Sequence, residues 1–130
     1  MKKKITGILI DTEANTAKAV TLDDTLEAYY SALNCSCIDI VDRTIGESEK
    51  YFTIVCDDEG LLKADPHISA VSVLCEPMLV GNLFITDFDH DTGELAPLSE
   101  QDLEYVLDHI VFTVSTHRNI PFPLLCQVGY

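Results

Sequence analysis

The chain has 130 residues, 47% apolar and 23% charged, the balance of one soluble globular domain and not of a disordered chain. Eight Lys and Arg against 22 Asp and Glu leave a formal charge of −14, which argues against a nucleic-acid binder and against docking on an anionic membrane. No Lys or Arg lies between Ala64 and His117, so the carboxylates there either keep the protein soluble or form a surface for a basic partner.

Lys4–Ile10 reads as a strand, Asp11–Thr16 as a polar turn and Ala17–Thr21 as the returning strand of a hairpin. Leu22, Leu26, Tyr29, Tyr30 and Leu33 then recur at helical spacing. Asp23, Asp24 and Glu27 fall near the start, where the helix dipole favours anions, and Asn34 is a stop signal. Cys35–Ile45 and Tyr51–Cys56 are β-branched or aromatic runs around Gly46–Glu49, a second hairpin. Asp57, Asp58 and Glu59, followed by Gly60, read as an exposed acidic turn.

Pro66 interrupts any regular strand through Leu61–Ser72, and Val71–Cys75 fits either a short strand or one helical turn. Met78–Phe88 reads as one strand with Gly81 at a bulge or close backbone approach, and Asp89–Ala96 as a polar loop. Ser99 is an N-cap with Asp102 three positions on, and Leu98 is placed to staple against Leu103. Leu103, Val106, Leu107 and Ile110 form the stripe of a second amphipathic helix. Val111–Tyr130 is apolar, but Pro121 and Pro123 keep it from being one regular element. The expected fold is α+β: residues 1–110 form a single domain, an antiparallel or mixed sheet of about five strands with two amphipathic helices packed on it. Residues 111–130 form a tail that packs on this domain or on a partner subunit, a route to a homodimer.

The apolar stretch at the N-terminus ends at Asp11, short of the ~7–15 residues of a signal-peptide core, and no run reaches the ~18 of a membrane helix. The expected location is therefore cytoplasmic. The five cysteines (Cys35, Cys37, Cys56, Cys75, Cys126) are odd in number and form no C-x-x-C pair, so they are expected as reduced, buried, structural thiols. Cys35 and Cys37 are expected on the same side of a strand.

Three segments carry a resemblance: Val55–Lys63 (VCDDEGLLK), Met78–Ile85 (MLVGNLFI) and Pro97–Asp102 (PLSEQD). In this order, after an N-terminal strand and hairpin, the chain resembles the family known as domain of unknown function 3846 over roughly residues 4–110. The resemblance implies a phage or mobile-element protein of a bacterial cell. It brings no activity and no catalytic residues. In that setting small acidic proteins often inhibit host defence, some as mimics of DNA.

The residues point to no reaction. There is no G-x-S-x-G, no clustered glycine for a phosphate cradle and no H-E-x-x-H. His67, His90, His109 and His117 lie in no nucleophile motif. No enzyme activity, cofactor or metal is expected. Asp87, Asp89 and Asp91 alternate like the start of a calcium loop, but Gly93 and Leu98 stand where that pattern fails, which leaves weak divalent binding at most.

Glu100, Glu104 and Asp108 follow at i, i+4 and i+8 on one helix face. Each like-charge pair there costs a few tenths of a kcal/mol, and Asp108 stands in the last turn, where the dipole disfavours an anion. A helix chosen for stability alone would carry Lys at one of these positions. The row is either a solvated face or, with Asp57, Asp58 and Glu59, a contact surface for Lys and Arg. The function expected is a small acidic, non-enzymatic interaction protein that inhibits a basic host protein, of defence or of nucleic-acid binding. The alternative is sequestration of a small nucleotide-like signal, for which Lys18, Arg43, Lys50, Lys63 and Arg118 are the cations outside the N-terminus.

Denatured without reductant, the protein is expected to titrate as five free thiols. A lower count would reveal disulfides and a different compartment.

Overall fold

The computed structural model describes residues 3–58, 67–115 and 118–130. The first half runs β1 (Lys4–Asp11), β2 (Thr16–Asp23), α1 (Leu26–Leu33), β3 (Ile38–Ile45) and β4 (Phe52–Asp57). Next come β5 (Ile68–Val71), β6 (Pro77–Val80), β7 (Leu83–Asp89), β8 (Glu94–Ala96) and α2 (Glu100–Asp108). β9 (Ile110–Ser115), β10 (Arg118–Leu125) and β11 (Val128–Gly129) end the chain.

The strands make two sheets. One has the order β11-β3-β4-β7-β1-β2, with β8 added beside β7, and the other β6-β5-β10-β9. All pairings are antiparallel except that of β5 with β10. The α+β class holds, but seven strands in one sheet and four in the other replace the single sheet of about five.

The middle of the larger sheet is covered on both faces. Side chains alternate along each strand, so Ile54, Ile85 and Ile8 line up across β4, β7 and β1 on one face. Val55, Phe84 and Leu9 line up on the other. The isoleucine face packs with Leu98, just before α2, with Val106 of α2, and with Ala70 and Leu125 of the smaller sheet. The Phe84 face packs with Tyr29 and Leu33 of α1. Two-sided burial is why β4 is apolar along nearly its whole length. Gly7 belongs to this packing: a Cβ there would collide with the Ile85 carbonyl and the Phe84 ring.

Local signals set the helices. Thr25 caps α1 by accepting from the Ala28 N–H at 3.1 Å, and Asn34 ends it in the left-handed region at φ 51°. The helix is shorter than its apolar spacing suggests, because Leu22 and Asp23 belong to β2. Ser99 caps α2 through the Asp102 N–H at 3.1 Å, and Leu98 and Leu103 lie in one core cluster, as a staple requires.

Four segments differ from the sequence expectation. Met78–Phe88 is two strands, because Gly81, at φ 84°, turns the chain between β6 and β7. Asp89–Ala96 is a hairpin closing on β8. The C-terminal stretch supplies three strands, not a strap: β9 and β10 join the smaller sheet, and β11 pairs with β3. β10 carries Pro121 and Pro123 and keeps its pairing with β9 through a register shift between Arg118 and Phe122. Finally, Cys35 and Cys37 precede β3 and lie in no strand. Cys35, Cys37, Cys56, Cys75 and Cys126 are all free thiols, but only Cys56 is buried, and Cys37 and Cys75, which lie outside the strands, are exposed.

One buried polar knot locks β1, the β6–β7 turn and α1 together. Asn82 accepts from the Thr12 N–H at 2.7 Å and the Thr12 hydroxyl at 2.8 Å, and donates to the Leu33 carbonyl at 3.1 Å. Asn82→Ala is expected to destabilise the fold by about 2–4 kcal/mol in urea unfolding, because it strands buried donors and an acceptor. A loss below about 0.5 kcal/mol would show that the knot is not structural.

Candidate functional site

β3, β4 and β7, with the loops beside them, form a cleft of about 510 Å³. Asp42 comes from β3 and Thr53 from β4, directly opposite each other. Asp87 and Phe88 come from β7, Glu49, Lys50 and Tyr51 from the β3–β4 connection, and His90 from the β7–β8 turn. The Thr53 hydroxyl donates to Asp42 at 2.9 Å. Phe88 and His90 pack edge to face, their ring centres 5.1 Å apart.

Lys50 is the one Lys or Arg among the lining residues. Its ammonium donates to Asp87 at 2.8 Å and to Asp102, in the first turn of α2, at 2.6 Å. It also lies over the Phe52 ring, 5.4 Å from its centre. Partial burial pulls the ammonium pKa down. The hydrogen bonds to Asp102 and Asp87, and the charges of both, outweigh that and hold it above the usual lysine value of 10.5. This clamp ties α2 to the cleft. It also leaves Lys50 neutralised, so Asp42, Glu49 and the aromatic walls give the cleft a net negative, amphipathic character.

Behind the clamp, the ring of Tyr105 stacks on Phe52 at 6.0 Å and on His109 at 4.4 Å, and its hydroxyl donates to the Ile45 carbonyl at 2.6 Å. Gly46, at φ +63°, lets the β3–β4 connection pass this stack, since a Cβ there would lie 2.5 Å from His109 Nε2.

Glu100, Glu104 and Asp108 are all exposed on α2, and none has an ion-pair partner among the described residues. Asp57 is the last residue of β4 and only 6% exposed, so it is no part of an exposed turn and cannot meet a partner directly. Its place at the end of a two-sided strand overrides the turn chemistry of the residues that follow. Asp58 is exposed, and Glu59 lies outside the described residues.

Asp87, Asp89 and Asp91 do not converge. Asp87 serves the Lys50 clamp, and Asp89 accepts from the Asp91 N–H at 2.9 Å to close the hairpin turn. Among the described residues no group of three or more His, Cys, Asp and Glu could hold a metal ion. Among the described residues no helix is long and apolar enough to cross a membrane. Burial, then the charge of Asp39, pushes the Cys56 thiol up to about 11, the opposite of an activated nucleophile.

The sequence reading missed the cleft. Its defining contacts join Lys50 to residues 37 and 52 positions away. The available signal was the lone lysine between two acid-rich segments.

The family model for Domain of unknown function (DUF3846) matches residues 5–111, and the chain belongs to that family. No curated protein and no solved structure matches it.

The clamp carries a pH signature. Because the folded-state pKa of Lys50 is raised, its contribution is fully present below pH 10.5 and is lost as pH climbs through the folded value. Lys50→Met is expected to unfold more easily than the parent by roughly 1 kcal/mol at neutral pH, the scale of a partly exposed ion pair. The gap should shrink only in strongly alkaline buffer. Urea titrations of both proteins across that range check it, and a gap that stays constant would show that packing, not charge, holds α2 down.

Proposed function

We propose that this member of the DUF3846 family is a non-enzymatic interaction protein that binds a basic partner protein through its carboxylate face. The observation that carries the reading is the unneutralised row Glu100, Glu104 and Asp108. It projects from a helix whose one acid with a described cation, Asp102, is the one that fixes the helix to the fold. Val106 in the core, the Tyr105 hydroxyl and the Asp102 clamp anchor the helix, so its outer carboxylates share one face at helical spacing, which suits electrostatic steering and charge complementarity. Asp58 adds to the exposed charge. The phage or mobile-element setting that the family resemblance implies would make the partner a host protein of defence or of nucleic-acid binding, and binding would inhibit it by covering its basic surface.

The cleft favours a second use in the same sense. Asp42 and Glu49 beside Tyr51, Phe88 and His90 suit an Arg or Lys side chain, or a cationic small molecule. Sequestration of a nucleotide-like signal draws on the same volume, but the cleft's lysine is already neutralised by two carboxylates, which weighs against a phosphate ligand.

A pull-down from bacterial lysate at low and high salt supplies the partner for the test. The variant Glu104→Lys with Asp108→Lys should melt no lower than the parent, since it turns one of the two like-charge pairs into an attractive one, leaves the other like-charged, and suits the dipole at the helix end. Its association should be slower, its affinity lower by about tenfold, and its salt dependence shallower. Unchanged rate and salt slope would reduce the α2 row to a solvated face.

A further inference from the structure

Every open sheet edge invites another strand, and monomers blunt theirs with charge, proline or brevity. The other edges here are blunted. β2 carries exposed Lys18 and the Lys4–Asp23 ion pair at 2.9 Å. β6 opens with Pro77 and has four residues, and β11 has two. β9 is different. It has six residues, IVFTVS, without a charge or a proline, and it ends the smaller sheet, with no strand on its outer side among the described residues.

Its side chains are not those of a solvated edge. Val111 is 47% exposed, Phe112 56% and Val114 56%, so apolar groups stand out on both faces of the strand. Ile120 of the neighbouring β10 is exposed as well. The charge pattern selects the occupant. From His109 to His117 the chain has no Asp, Glu, Lys or Arg. A basic partner finds no carboxylate on this strand. A second copy, itself at −14, is repelled elsewhere on the surface and least repelled here.

We propose that β9 pairs antiparallel with β9 of a second copy, joining the two smaller sheets into one continuous sheet across a two-fold axis. Such a contact is isologous and closes on itself. Paired residues must point to the same face, so the axis falls on a residue. Placing it at Thr113 sets Phe112 against the partner's Val114 and leaves Ile110 packed on the core. The contact is independent of the α2 face, and its salt dependence has the opposite sign: screening relieves repulsion between two acidic copies, whereas it weakens attraction to a basic partner.

Sedimentation of the full chain from micromolar to submillimolar concentration tests the pairing. The parent should form a dimer that tightens as salt is raised. Phe112→Lys and Val114→Lys, each at an exposed position, should melt with the parent at concentrations where all are monomeric and weaken the dimer by at least about tenfold. Thr113→Cys, oxidised mildly, should give a disulfide between the two copies of position 113, found by peptide mapping, because directly opposed residues lie within bridging distance. A parent that stays monomeric throughout would overturn the proposal. So would a dimer unaffected by both lysines, or one in which position 113 never links to its own copy. The Glu104→Lys, Asp108→Lys variant should dimerise at least as well as the parent, so failure of the acidic-face reading and failure of this one are separable.

Discussion

The rung Ile8–Ile85–Ile54 is the contact on which the rest of the structure depends. It joins three strands far apart in sequence, and all three side chains are fully buried. Its partner rung, Leu9–Phe84–Val55, faces the other way, so the centre of the sheet needs cover on both sides. α1 supplies one cover, and α2 with the smaller sheet supplies the other. The C-terminal strands are part of that cover: Leu125 and Val128 lie in the same cluster as Ile85.

Covering the sheet creates an electrostatic difficulty. Asp87, at the end of β7, and Asp102, at the start of α2, are brought onto one cation, yet both belong to the stretch that has no Lys or Arg of its own. Two carboxylates sharing a partly buried site repel unless a cation stands between them. Lys50, from the β3–β4 connection, is that cation. Lys3 and Lys4 are likewise engaged, with Glu94 and Asp23. With these lysines engaged, the exposed carboxylates of α2 keep their field. Lys50 thus joins Val106 in the core and the Tyr105 hydroxyl on the Ile45 carbonyl in holding down the helix that bears the negative row.

What the sequence made legible follows the range of the signal. The two hairpins, the Asn34 stop and the Ser99 cap were readable because turn chemistry, cap and stripe lie within a few residues of one another, whereas the Thr25 cap was hidden by an apolar spacing that runs back into β2. The break at Gly81 was hidden because Met78–Phe88 is apolar on both sides of it, and periodicity cannot divide a run that is buried throughout. β10 was hidden because Pro121 and Pro123 forbid a regular central strand, and the rule gives way where the register shifts. Of the candidate site residues, the α2 row was predictable, since helical spacing alone fixes which side chains share a face. Asp57 was not, because its burial depends on strands that cover it from elsewhere in the chain.

The boundary between α2 and β9 separates two kinds of surface. α2 carries Glu100, Asp102, Glu104 and Asp108, and from His109 onward the chain has no charge until Arg118. A protein with this much negative charge can approach a copy of itself only where the field is weakest, and it attracts cations most where the field is strongest. With those regions on consecutive elements, the two proposed contacts would not compete for the same residues. If β9 pairs across a two-fold axis, each particle presents two α2 rows in fixed relation. A basic partner with a repeated surface then meets two rows at once, and the second contact forms at the effective concentration set by the first. Modest single-row affinity is enough under that arrangement. It also explains why a surface helix can tolerate a row of like charges whose local cost is only a few tenths of a kcal/mol per neighbouring pair.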